Sequence, residues 1–305
     1  MIYVFGSCVM DLLVPLPRLP RPGETVLGES YEMRPGGKGA NQAVAAVRAG
    51  GLVSFFGAVG EDAFGRELRR SLEEEGIEPD GLAIVERPSA AALVMIGPNG
   101  ENQIAVAAGA NLEALAEQVP DAVLTSESLV VMQMEVRPEE NWALLRRIRE
   151  LGGRSMLNVA PALSVPAEML PLIDILVVNE HEGALLGREH RLEVGGAAGL
   201  VTSLRDRTGG TVVMTLGAQG SVAATSAGVL SVPALVVDVI DSTGAGDAYV
   251  GALAAALDAG LDWPEALRRA SACGSLACRG MGARTAMPDF DDIEEGARQL
   301  ALAGN

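Results

Sequence analysis

Short apolar runs alternate along this chain with longer segments of helical character, and that alternation limits the fold more than any other feature. Leu129–Met134, Ile173–Val178 and Thr211–Leu216 are almost continuously apolar, as strands buried on both faces must be. Ile2–Gly6, Val53–Val59 and Ser155–Leu157 read the same way. Between and after them, Ala63–Glu75, Pro138–Leu151, Ala197–Arg207, Trp263–Cys278 and Asp291–Leu302 read as helices. Repeated strand–helix units predict a doubly wound, mostly parallel sheet with helices on both faces. A second, smaller unit is also expected. Ala91–Ile96 and Gln103–Ala107 flank Pro98-Asn99-Gly100, a hairpin signal, and with the extended stretch Thr25–Met33 they predict a small separate antiparallel sheet. Pro15, Pro17, Pro20 and Pro22 make residues 15–24 a connection.

Composition narrows the function. With 49% hydrophobic but only 3% aromatic residues, the core must be built from Ala, Val and Leu. A net charge of −17 argues against a nucleic-acid partner, whose phosphate backbone needs a basic face. No apolar run reaches the ~18 residues of a membrane span. Met1–Leu16 lacks a basic start and is interrupted by Asp11, so it reads as a first strand and not a signal peptide. Cys8, Cys273 and Cys278 form no CxxC pair, and His181 and His190 are the only histidines, which disfavours zinc and a disulfide framework. A cytoplasmic setting is expected.

The chemistry concentrates in Asp241-Ser242-Thr243-Gly244-Ala245-Gly246-Asp247. The β-branched run Leu235–Ile240 before it reads as strand, and the Ala- and Leu-rich segment after it reads as helix to Ala259, closed by Gly260. Unpaired N–H groups and the helix dipole at such a junction can hold an anion. A carboxylate there, Asp247, repels a phosphate unless it accepts a proton from an attacking hydroxyl. The plainer reading is a helix-start turn with a first-turn acid. Neither a dinucleotide fingerprint, which would need glycine where Tyr249 stands, nor a GxxxxGK[ST] loop is present. A second glycine cluster, Arg34-Pro35-Gly36-Gly37-Lys38-Gly39-Ala40-Asn41-Gln42, opens another Ala-rich helix. It sets Lys38 and Asn41 where small residues leave room for a ligand. Asp11 and Glu135 are acids at strand ends, the edge where open parallel sheets bind ligands, although Asp11 reads equally as a turn acid.

With both glycine clusters in place and in this order, the chain resembles the PfkB carbohydrate kinase family and, within it, the ribokinases. The resemblance runs from Gly6-Ser7 to Pro288. It implies a ribokinase-like α/β/α sandwich, with 1–305 a single domain and lid segments near 12–35 and 90–108 that form a homodimer contact. It implies ATP-dependent phosphorylation of a small sugar, D-ribose to D-ribose 5-phosphate, with Mg²⁺. Asp247 would be the base, and the N–H groups of Gly244, Ala245 and Gly246 the anion hole. Asp11, Gly37, Lys38, Gly39, Asn41 and Glu135 would contact the sugar. Asn179, Thr215, Gly217, Gly220, Gly246 and Ser271 would meet ATP, with Asn179 and Glu182 organising Mg²⁺ through water. Asp241, Thr243, Ala277, Gly280 and Gly282 would hold a monovalent cation, K⁺.

Two departures bear on these expectations. Val9 stands where some ribokinases carry a sugar-contacting Asn, and Ala286 where many carry Ser, which leaves K⁺ dependence open. Another sugar, a nucleoside, or silent binding without turnover are the alternatives. Only 5 Phe, 3 Tyr and 2 Trp are available for a nucleobase shelf, which disfavours a nucleoside. An intact Asp247 turn with Asn179 and Glu182 disfavours a silent binder.

Overall fold

The structure, a computed structural model, describes residues 1–192 and 195–300. The chain opens with β1 (Ile2–Phe5), β2 (Val9–Pro15) and β3 (Glu32–Gly36), then α1 (Lys38–Arg48), β4 (Val53–Gly60), α2 (Ala63–Glu74) and β5 (Glu78–Val85). A hairpin of β6 (Ala91–Ile96) and β7 (Asn102–Ala107) follows. The alternation resumes with β8 (Leu129–Met132), α3 (Pro138–Leu151), β9 (Arg154–Asn158), β10 (Ile175–Asn179), α4 (Glu180–Glu189), α5 (Gly196–Thr208) and β11 (Thr211–Thr215). It closes with β12 (Ser221–Thr225), β13 (Gly228–Val232), α6 (Ala245–Asp258), α7 (Trp263–Leu276) and α8 (Phe290–Gln299). The last two residues of the helix predicted to Leu302 lie outside the described residues.

Among the described residues, nine strands form one sheet in the order β13-β12-β11-β10-β9-β8-β1-β4-β5. Its pairings are parallel from β11 to β5 and antiparallel for β11–β12 and β12–β13, so β12 alone runs against the other strands. Side-chain alternation explains the unbroken apolar runs. Leu129 and Val131 enter the core under α1, α6 and α7, while Val130 and Met132 enter the core under α3, α4 and α5. A strand facing two cores has no polar side. With so few aromatics, α1 and α6 bury alanines (Ala43, Ala46, Ala248, Ala252), so their backbones lie close together. Among the described residues, no helix is long and apolar enough to cross a membrane.

The small sheet has the order β3-β2-β6-β7. Its central pair, β2 and β6, is parallel, so the expected wholly antiparallel sheet is corrected to a mixed one. The reason lies in the main sheet. β2 continues from β1 and β6 from β5, and those two parent strands point the same way. The small-sheet strand predicted within Thr25–Met33 begins only at Glu32, and Asp11 lies inside β2, opposite Arg34 and Ala92.

Leu235–Ile240 is not a strand. Its backbone bonds go sideways: Leu235 N–H donates to Ser275 Oγ at 3.0 Å and Ile240 N–H to the Cys278 carbonyl at 2.8 Å. Val236 and Val239 are left 99% and 66% exposed, which no buried strand would allow.

Candidate active site

Helix α6 starts at a turn that only glycine enters easily. Gly244 sits at φ 77°, and a Cβ there would lie 2.6 Å from the Ala283 methyl. Ala245 N–H donates back to the Ser242 carbonyl at 3.2 Å and closes the turn. The N–H groups of Gly244 and Gly246 carry no hydrogen bond to a described residue, which leaves two of the three expected anion-hole donors unpaired among the described residues.

Asp247, in the first turn of α6, is 7% exposed and its carboxylate is gripped from α1. Asn41 Nδ2 donates to Oδ2 at 3.1 Å and Gln42 Nε2 to Oδ1 at 3.0 Å. Gln42 Nε2 also reaches Asn158 Oδ1 at 3.0 Å, at the end of β9. These amides have fixed senses. Asn158 Nδ2 donates to the Val177 carbonyl, so its Oδ1 must face Gln42.

The expected sugar-contacting residues meet beside Asp247. Glu135 accepts from Ser7 Oγ at 2.6 Å and from Lys38 N–H at 2.9 Å, which ties the end of β8 to the start of α1. Ser7 Oγ in turn accepts from Gly39 N–H. The Asp11 carboxylate rests against Gly36, where a Cβ would lie 2.4 Å from Oδ2. Burial first, and repulsion from Glu135 second, push its pKa up to about 6. The Lys38 ammonium is held above its ordinary range, chiefly by the charge of Asp247 and then by Glu135 and Glu182. One cation thus faces acids from three elements.

Asn179 and Glu182 form a capping box on α4. Asn179 Oδ1 accepts from Glu182 N–H at 2.9 Å, and Glu182 Oε2 accepts from Asn179 N–H at 2.7 Å. Asn179 Nδ2 adds a bond to Glu182 Oε1 at 2.9 Å. Burial raises the Glu182 pKa despite the helix-start bonds and the Lys38 charge that lower it.

A cavity of about 400 Å³ opens beyond Gly246. Thr215, Gly217, Gly220, Gly246 and Ser271, the residues expected to meet ATP, all line it, and Val236 and Val239 form an apolar lip. Ser271 also holds that lip, donating to the Pro233 carbonyl at 2.7 Å. Asn179 is not among the lining residues.

Asp241 and Thr243 lie together behind Gly244. Asp241 Oδ1 accepts from Thr243 N–H and Oγ1–H at 2.9 and 2.7 Å, and Oδ2 accepts from Gly282 N–H at 2.8 Å. Burial opposes ionisation there, but those bonds outweigh it and, with the Arg34 charge, hold the carboxyl below its usual range. Arg34 Nη1 would lie 2.5 Å from a Cβ on Gly282. Ala277 is buried in the core, and Gly280 packs against Ala286.

Gln42, Asn158, Ser7 and Arg284 escape the sequence reading. Gln42 has a signal, since it follows Asn41 in the same glycine-rich start. The others have none locally. Their partners are 128 residues away for Ser7, 116 for Asn158 and 243 for Arg284.

The pfkB family carbohydrate kinase model matches residues 1–289. The chain is 32% identical to a ribokinase from Lactococcus lactis over 98% of its own length and 97% of that protein's. It is 34% identical to a ribokinase from Bacillus subtilis, covering 96% and 98% respectively. Its structure is similar to that of Arabidopsis thaliana ribokinase complexed with ribose and ATP, with a TM-score of 0.87, 28% identity, and coverage of 97% of this chain and 98% of that one.

Proposed function

Because the chain belongs to the PfkB family of carbohydrate kinases, we propose that it transfers the γ-phosphoryl group of ATP to D-ribose and releases D-ribose 5-phosphate and ADP. The observation that carries this reading is the buried Asp247 carboxylate. It sits between a cluster of polar side chains suited to a polyol and a cavity suited to a nucleotide.

Each residue then has a task. Asp247 accepts the proton of the sugar hydroxyl as its oxygen attacks the γ-phosphorus and the bond to the ADP oxygen breaks. Asn41 and Gln42 aim the carboxylate. Gly244 and Gly246 N–H stabilise the transferring phosphoryl oxygens, and Ala245 N–H joins them when its 3.2 Å turn bond opens. One such donor is typically worth ~2.7–4 kcal/mol. Asp11, Lys38, Glu135 and Asn41 take the remaining sugar hydroxyls, with Gly37 and Gly39 giving the sugar close access to backbone. Thr215, Gly217, Gly220 and Ser271 hold the nucleotide.

Among the described residues no group of three acids, histidines or cysteines could hold a metal, so Mg²⁺ would arrive on the ATP phosphates. Glu182 and Asn179 fit a water-mediated hold on it, and the ion would supply charge neutralisation at the phosphates. A monovalent cation fits less well. Both Asp241 oxygens already take protein donors, Ala286 has no hydroxyl, and the Arg34 guanidinium stands beside Gly282. On this reading the four-stranded sheet is the lid of a single catalytic domain in a cytoplasmic enzyme. Its exposed Met33 and Leu93, which share one face of the sheet, would meet a second copy of the chain.

ATP-coupled turnover of a panel of pentoses, hexoses and nucleosides, with and without K⁺, tests the reading. D-ribose should give the highest kcat/KM, and K⁺ should change it little, since both Asp241 oxygens already take protein donors. A preference for a nucleoside or a hexose overturns the substrate assignment. Acidity gives a second test. Asp11 binds hydroxyls as the carboxylate, present above pH 6, so at pH 5 only about a tenth of it is ionised. The sugar KM should rise about tenfold from pH 7.5 to 5 while ATP affinity holds. A flat sugar KM over that range removes Asp11 from the sugar site.

A further inference from the structure

Arg284 is a cation buried without a carboxylate in contact. It is 9% exposed, and its three hydrogen bonds all end on neutral acceptors. Nε donates to Asn41 Oδ1 at 2.9 Å, Nη1 to Ser71 Oγ at 3.0 Å and Nη2 to the Gly36 carbonyl at 2.9 Å. Burying a guanidinium this way is costly, and an apolar side chain would fill the space at lower cost. The ionisable groups that favour its charge are not hydrogen-bonded to it: Cys8 and Glu75 come first, then Asp11 and Asp247. Two of its three bonds end at the glycine-rich start of α1 and the residue before it, on Asn41 and Gly36.

We propose that Arg284 is a positioning residue for phosphoryl transfer, acting through Asn41 and supplying the buried positive charge that faces the acids of the sugar site. The inference rests on the kinase reading above. Asn41 has an oxygen end and an NH₂ end of equal size, and Asp247 binds only the NH₂ end productively. A guanidinium has no acceptor, so it can take only Oδ1. Arg284 therefore selects the one rotamer in which Asn41 donates to Asp247 Oδ2. Its charge acts separately from this bond. Around Asp11 stand Glu135 from the end of β8 and Asp247 from α6, both opposing its ionisation, and Arg284, which favours it. Lys38 from α1 faces Asp247 and Glu135. Removing Arg284 leaves Asp11 with less to keep it ionised.

The test uses the full-length enzyme with Arg284→Gln and Arg284→Lys, alone and with Asn41→Ala. Arg284→Gln is expected to melt cooperatively, to keep ATP affinity within about threefold, and to lose about 10²-fold in kcat on D-ribose. Its acid limb in kcat/KM should move above the wild-type position near 6. Arg284→Lys, which keeps the charge, should restore that limb. In the Asn41→Ala background, Arg284→Gln should change kcat by less than about threefold, because the coupled partner is gone. A folded Arg284→Gln with wild-type kcat and acid limb overturns the proposal, as does an equal loss of kcat in both backgrounds. Failure of both single variants to melt cooperatively also overturns it and assigns Arg284 to the core alone. A wild-type protein that phosphorylates no sugar refutes the kinase reading instead.

Discussion

Asp247→Asn is expected to remain folded and to bind both substrates, yet to transfer phosphate about 10²–10⁴-fold more slowly, the usual worth of a positioned general base. The change removes the one group at the α6 start that can accept a proton, and alters nothing in size. Its structural cost should be modest for a definite reason. The carboxylate now accepts from two amide donors whose senses are fixed by Arg284 and Asn158. An asparagine there can offer an oxygen to one and must turn its own NH₂ toward the other. That mismatch costs about 1–3 kcal/mol, offset in part by no longer burying a negative charge. Lys38 reports the change as well, since Asp247 is the main cause of its raised pKa and that shift should shrink. Steady-state turnover and a melting curve check the prediction together. Wild-type-like kcat in the folded variant would remove Asp247 as the base.

The second large effect is expected one turn further along α6. Gly251 lies where α6 crosses α1, and a Cβ there would stand 2.5 Å from both the Ala45 methyl and the Gln42 carbonyl. Ordinary contact between such atoms is about 3.5–4.0 Å, so Gly251→Ala must push the helices apart by roughly 1 Å. Overpacking of this kind costs about 1–3 kcal/mol, readable as a melting temperature lowered by several degrees. The displacement also pulls Asn41 and Gln42, on α1, away from Asp247, on α6. Misplacement by about 1 Å can cost on the order of 10²-fold in rate. A lowered melting temperature with kcat reduced by that order is the expected pair of results. An unchanged kcat would show that the α1–α6 spacing does not set the alignment of the base.

What the sequence reveals and what it hides follow from the same physics. β8, β10 and β11 are legible because strands buried on both faces leave no polar positions. The β6–β7 hairpin is legible because Pro98-Asn99-Gly100 leaves the chain few other turns. Both glycine-rich helix starts, with Asn41 and Asp247, are visible because they are local. β5 is hidden, since Pro79, Asp80 and Gly81 look like a turn. Gly81 is there because Phe56 comes so near that a Cβ would meet its ring at 2.2 Å. Leu235–Ile240 misleads for the opposite reason. Its β-branched side chains line a cavity while Ser275 of α7 and the Cys278 carbonyl take part of its backbone bonding. The side chains that aim the base are the least legible of all. Arg284 and Asn41 meet across 243 residues, and nothing near either residue announces the other.

The proposed reaction places the γ-phosphoryl group of ATP on the primary hydroxyl of D-ribose. Phosphorus NMR of the purified protein with D-ribose, ATP and Mg²⁺ tests it most directly. ADP should appear together with one new phosphate ester, whose signal is split by the two protons of the ribose C5 carbon. An ester split by a single proton would place the phosphate on another hydroxyl, and unchanged ATP with no ester would contradict the account.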